Sequence, residues 1–230
     1  MKLPNSEHDS RPWRIHELVP DFTLEDVWAL PMQGGPNDFQ DLLDMAASFD
    51  PSKAESRPTR LLWSFRDRLG AWFGLGEISA PVDGEATSAL PIPDSNESSL
   101  RDRLPPDLRG TTSDFTFGAL PFVPLYRLDH EAAAEISNKT VHGVAHLSWV
   151  ELDENRYEGR MAVYVKPRGA FGKAYMALIK PFRYWIVYPA LMRQMDRAWN
   201  ERPIRVAPIR AEHRPRRSNV PANSNQRPSD

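Results

Sequence analysis

Apolar residues recur at a helical interval twice in the N-terminal half of the chain. After Asn37, a residue suited to helix capping, Phe39, Leu42, Leu43, Ala46 and Ala47 share one face, and Asp50-Pro51 closes the segment. A second beat starts at Pro58-Thr59 and runs through Leu61, Leu62, Phe65, Leu69, Trp72 and Phe73, with Arg60, Arg66, Asp67 and Arg68 off the stripe. Both patterns predict amphipathic helices packed on a larger core. Upstream, Arg11 to Leu18 reads as a strand or extended arm. Thr23-Leu24-Glu25-Asp26 resembles a capped helix start, followed by Val27 and Trp28 at helical spacing and stopped by Pro31.

The period changes after residue 114. Phe115 and Phe117 alternate, and Leu120 to Tyr126 is an apolar run with two prolines, which predicts an edge-like or bulged strand. Asp129 to Ile136 reads as a short helical turn, placing Glu131 and Glu135 one turn apart. Thr140–Val150 alternates cleanly. Val141, Ala145, Leu147 and Trp149 take one side; His142, Val144, His146, Ser148 and Val150 take the other. Tyr157–Lys166 alternates too, with Met161, Val163 and Val165 opposite Arg160, Ala162, Tyr164 and Lys166. The polar stretch between these two segments makes them an antiparallel hairpin.

A broad helical stripe runs from Gly169 to Trp199, and Pro181 and Pro189 must kink or divide it. The expected fold class is α+β: a curved antiparallel sheet packed on a long C-terminal helix, with two extra amphipathic helices in the N-terminal half. The expected organisation is a flexible N-terminus at 1–10, one domain over 11–200 and a disordered Arg/Pro-rich tail at 201–230. Residues 76–98, rich in Pro, Asp, Glu and Ser, read as a long mobile loop within the domain.

Composition changes this picture in three places. Cysteine is absent, which excludes disulfides, thiolate catalysis and Cys-ligated zinc. The N-terminus has no apolar signal core, so the expected location is cytoplasmic. Residues 174–192 are long enough to span a bilayer, but Lys180 and Arg183 fall near their centre, so no transmembrane segment is expected. The formal net charge of −2 argues against nucleic acid as the main partner. From Arg202 onward the tail departs from that balance, with seven Arg against Glu212 and Asp230.

Chemistry-bearing patterns are few. His142 and His146 share a strand face, but at strand rise they stand about 13 Å apart, too far for one metal ion. Either can line a cavity or serve as an acid/base, since histidine titrates near neutrality. Tyr126, Arg160, Tyr164 and Lys166 offer polar tips beside apolar strand positions. Phe171, Met176, Phe182 and Ile186 are the helix residues expected beneath the sheet. No glycine-rich phosphate loop and no nucleophile elbow occur, and no cofactor is expected.

Several runs together resemble a known family. They are Arg11-Pro12-Trp13-Arg14-Ile15-His16 with Asp21-Phe22, Val123-Pro124-Leu125-Tyr126, Glu135-Ile136-Ser137-Asn138, Thr140-Val141-His142-Gly143, Tyr164-Val165-Lys166-Pro167, and Pro181-Phe182-Arg183 through Tyr188-Pro189. The chain resembles, over about residues 11–200, the bacterial family called domain of unknown function 2867. The resemblance implies kinship with the helix-grip (Bet v 1/START-like) superfamily, in which a curved sheet wraps a long helix around an apolar cavity. It also implies a partner, because the family domain is found fused behind short-chain NAD(P)-dependent reductases. It transfers no catalytic residue.

Three functions follow as expectations. The first is binding of a hydrophobic small molecule or lipid in an internal cavity lined by Phe171, Met176, Phe182 and Ile186, with polar contacts from Tyr126, His142, His146, Arg160 and Tyr164. The second is an enzyme of cyclase, dehydratase or isomerase type using His142 or His146 in the same cavity. The third is an interaction protein acting through the basic tail.

Overall fold

A computed structural model describes residues 1–48, 99–111, 115, 122–137 and 141–202. The second predicted helix at 58–73, the 76–98 loop and the tail beyond Arg202 lie outside the described residues, as does Phe117.

Among the described residues, six strands form one curved antiparallel sheet: β1 (Lys2–Leu3), β2 (Thr23–Gly34), β3 (Val123–Arg127), β4 (Glu131–Ser137), β5 (Val141–Asp153) and β6 (Arg156–Pro167). Their spatial order is β1-β2-β6-β5-β4-β3, so β3 to β6 make a meander and β2 returns to pair with its last strand. The β5–β6 hairpin is the one the alternation predicts. Its turn is closed by Asn155 at φ 58°, a left-handed conformation that Asn tolerates better than most residues. Strand β3 lies at the sheet edge with a register shift between Pro124 and Tyr126, as a proline-bearing strand requires.

Three local expectations fail, each for a physical reason. Thr23–Trp28 is strand, not helix. The bulge in β2 explains the false signal: Leu24 pairs with Tyr164 and Asp26 with Val163, so Glu25 is an extra residue. Leu24 and Val27 therefore pack on one face at a spacing of three, which imitates a helix. Asp129–Ile136 is likewise strand from Glu131 onward. Alanine favours helix, but Ala132, Ala133 and Ala134 are fully buried between two layers, where a small side chain lets both approach the sheet. Residues 1–10 form β1 and a helical turn, α1 (Ser6–Asp9), with His8 buried. Arg11 to Leu18, expected as a strand or extended arm, ends instead in a helical turn, α2 (Ile15–Leu18), because Ile15 and Leu18 are buried together at a spacing of three.

The sheet carries a core on each face. On the first, α3 (Phe39–Ser48) buries the predicted Phe39, Leu42, Leu43 and Ala46 against Leu30, Leu147 and Trp149. Gly159 makes this approach possible, since an added Cβ would meet Leu42, Trp149 and Leu30 at 3.3–3.5 Å. The second face is covered by α2 (Ile15–Leu18) and by Leu100, Leu104 and Leu108, which pack on Val27, Ala133, Val144 and Ala162.

The C-terminal helix is divided between its two prolines. It runs as α4 (Gly169–Phe182), a π-helical turn (Arg183–Val187) and α5 (Tyr188–Glu201). Pro189 has no N–H to donate to the preceding turn, which fits a local widening at this point. Tyr188, Met195 and Trp199 of α5 join the first core.

Candidate functional site

Strand pairing brings two glutamates and two histidines together on the second face. Glu131 and Glu135 alternate on β4, while His142 and His146 alternate on β5. The register sets Glu131 opposite Ser148 and Glu135 opposite Val144, so each His reaches a Glu diagonally. His146 Nε2 lies 2.9 Å from Glu131 Oε2, and His142 Nε2 lies 2.8 Å from Glu135 Oε2. All four side chains are buried.

The two pairs differ in their surroundings. Glu135 accepts a short hydrogen bond from the Ser99 hydroxyl and one of 3.0 Å from the Leu100 N–H. It thereby pins the 99–104 segment to the sheet. Glu131 accepts from the Arg14 N–H at 3.1 Å and from the Tyr126 hydroxyl at 2.8 Å. Burial pushes both carboxyls up, but the hydrogen bonds from His and their other donors outweigh it and hold both below the usual range. An ionised carboxylate only accepts, so His146 must donate from Nε2. Burial holds the His146 pKa down, against the pull of Glu131, so the ring is neutral. Its Nδ1 is then a bare acceptor, buried and without a partner.

Residues from the N-terminal segment pack against the His146 ring. The His8 ring stands edge-on to His146 with centroids 5.0 Å apart, and the Trp13 ring lies 5.6 Å from it. His8 Nε2 and Trp13 Nε1 are also buried without a partner. Burial, with His146, His16, Arg160 and Arg11 nearby, lowers the His8 pKa to about 2. Three polar atoms with unmet hydrogen bonds, an acceptor, a donor and a neutral imidazole nitrogen, thus belong to three neighbouring rings with centroids 5.0–6.2 Å apart. Unpaired buried polar atoms are uncommon, because each forfeits its bonds to water. Around them, the Tyr164 hydroxyl meets His16 Nδ1 at 3.2 Å, and Arg160 pairs with Glu7 and Glu158 at 3.2 and 3.1 Å. Burial raises the Tyr164 hydroxyl well above its ordinary pKa, so it stays protonated.

The candidates named from sequence therefore separate. Tyr126, His146 and Tyr164 meet around the cluster, Arg160 flanks it, and His142 sits in the neighbouring pair. Helix α5 packs on the opposite face of the sheet, among Trp28, Leu147 and Trp149. Phe171 is 51% exposed rather than beneath the sheet, and Met176 is half-buried. The side chains of Phe182 and Ile186 lie outside the described residues. Missing from the sequence reading were His8, Trp13, His16 and the strand partnership of Glu131. The only signal for that partnership was the Glu-Ala-Ala-Ala-Glu spacing, which a strand satisfies as well as a helix.

Among the described residues, no group of three or more His, Cys, Asp or Glu is placed to hold a metal ion. No helix there is long and apolar enough to cross a membrane. The family model described as "Protein of unknown function (DUF2867)" matches residues 18–190. The chain belongs to this family. The DUF2867 match takes in Glu131, His146 and Tyr164 and begins after His8, Trp13 and His16. No curated protein and no solved structure matched the sequence.

Proposed function

We propose that this protein binds a small, largely apolar molecule by one neutral polar end, seated between the N-terminal segment and the second face of the sheet. The carrying observation is the trio of unpartnered buried atoms: His146 Nδ1, His8 Nε2 and Trp13 Nε1. A hydroxyl suits them, because it can donate to His146 Nδ1 while accepting from Trp13 Nε1. A carboxylate suits them poorly, because a second negative charge would sit beside ionised Glu131. The segment over the site is made of two four-residue helices, α1 and α2, and part of its hold is polar. Asn5 Nδ2 donates to the Leu24 carbonyl at 2.7 Å and Arg14 pairs with Asp107 at 2.7 Å. Such contacts break and reform more readily than a packed core, so this segment is the proposed entrance. The helix-grip resemblance is retained only in part by this reading: the long C-terminal helix lies along the sheet, but the ligand seat is on the other side.

One observation favours a catalytic version. The Glu131–His146 pair has the form of an oriented base, with the carboxylate fixing one ring nitrogen and the other left free. Proton abstraction, as in an isomerase or dehydratase, would run through His146 Nδ1.

Native mass spectrometry of the full chain, purified without detergent, tests the reading. The wild type is expected to carry an extra mass that denaturation removes, and Trp13→Phe and His146→Asn are expected to lose it. A wild type with no extra mass, whose stability does not respond to a panel of apolar alcohols and phenols, would overturn the proposal.

A further inference from the structure

Helix α4 is amphipathic in the wrong sense for a helix that only covers a core. At 100° per residue, Phe171 and Leu178 lie within about 20° of each other, and Lys173 and Lys180 lie on the opposite side. Lys180, half exposed, pairs with Glu25 on β2 at 3.2 Å. Leu178 points outward, 66% exposed, and Trp185 in the following π-helical turn is 81% exposed. Ala174 and Ala177 on the same helix are exposed as well. A Leu and a Trp held this far into water on one element mark a surface that meets something apolar.

Charge narrows the choice of what it meets. From Gly159 to Met195 the chain has no Asp or Glu. Two carboxylates of β2 next to it are occupied: Glu25 holds Lys180, and Asp26 holds Arg183 at 3.0 Å. Beyond α5 come seven Arg against Glu212 and Asp230. A second copy of the chain would bring two such tails together. An anionic lipid surface attracts both, and an apolar helix face combined with a polybasic segment gives the two signals that stable surface binding takes.

We infer that α4 and the π-helical turn form a docking face for an anionic membrane surface, with Leu178 and Trp185 inserted at the level of the headgroups and the Arg-rich tail adding electrostatic hold. Tryptophan suits that depth, since its ring is apolar and its N–H is satisfied by headgroups and water. The helix lies along the surface, consistent with no described helix being able to cross.

The chain has no cysteine, so Leu178→Cys and Trp185→Cys each place one label of a polarity-sensitive fluorophore on the full-length protein. Vesicles of phosphatidylcholine with a minority of phosphatidylglycerol are expected to shift both labels to the blue, and vesicles of pure phosphatidylcholine to do so much less. In co-sedimentation, Leu178→Ser with Trp185→Ser is expected to weaken binding to the mixed vesicles about tenfold or more. The thermal melt of the double variant should match the wild type, because both residues are exposed. Three results overturn the inference: no binding of the wild type to the mixed vesicles, binding indifferent to the double substitution, or labels already in an apolar setting without lipid. That last result would mean another part of the chain, a second copy or a bound protein covers the face.

Discussion

Two buried carboxylate centres sit on opposite faces of the same sheet, and they are built to different standards. On the first face, fully buried Asp26 accepts from Trp28 Nε1 and the Tyr188 hydroxyl on one oxygen, and from Arg183 and the Tyr184 hydroxyl on the other. It fastens the C-terminal helix to β2 across more than 150 residues of chain. On the second face, Glu131 accepts from three donors, but its histidine partner and two neighbouring rings keep polar atoms with nothing to bond. A saturated network has a complete structural account. An unsaturated one in an equally buried place has a remainder, and that remainder is where a ligand belongs.

The largest expected effect breaks the saturated centre. Asp26→Ala leaves the Arg183 guanidinium and three donors without their acceptor, and urea unfolding should show a loss of about 3–5 kcal/mol. A loss below about 1 kcal/mol would show that the helix does not depend on this fastening.

The next effect reads the second face through pH. His8 and His146 both titrate below their ordinary value in the folded chain. The unfolded chain takes up these protons below about pH 6.5 while the folded one does not. Stability is therefore full above that pH and falls as pH drops, by up to about 1.4 kcal/mol per unit for each imidazole. Below about pH 4.5 the depressed carboxyls of Glu131 and Glu135 steepen the loss, because the unfolded chain protonates them first. His8→Gln should remove one proton from the slope between pH 6.5 and 5. An unchanged slope would mean that His8 is protonated or exposed in the folded protein.

The smallest expected effect is the most telling. Trp13→Phe deletes an N–H that bonds to nothing, so unfolding without ligand should change by less than about 1 kcal/mol. The same substitution should abolish the extra mass described above. A clear loss of stability in the ligand-free protein would show that the N–H is satisfied, and would bring the two faces to the same standard.

Much of the sheet was legible because alternation survives in β5 and β6, where one side of each strand is Val-, Leu- or Trp-rich and the other carries His, Arg or Tyr. The same alternation put His142, His146, Arg160 and Tyr164 on one face. It does not say which layer covers that face, and the long C-terminal helix, expected there, packs on the other. The site's missing half comes from residues 8–16, more than 110 positions before their strand partners, where no local period links His8 or Trp13 to β5. Strands β2 and β4 resemble helices in sequence for opposite reasons. In β2 an extra residue forged a helical spacing. In β4 alanine hid the two-residue period, since its small side chain suits either face.

The extra residue in β2 has a mechanical consequence. Without Glu25, the order Thr23, Leu24, Asp26, Val27, Trp28 would alternate between the two faces without interruption, and neither core would change phase. Glu25 is thus a spare link in the strand, and it is the one that holds Lys180. The strand yields one rung of its ladder to present a carboxylate to α4, so the hold on that helix is set separately from both cores. The outward-facing helix is thus tied by a pair open to water, while Asp26 next door holds the following turn by a buried one.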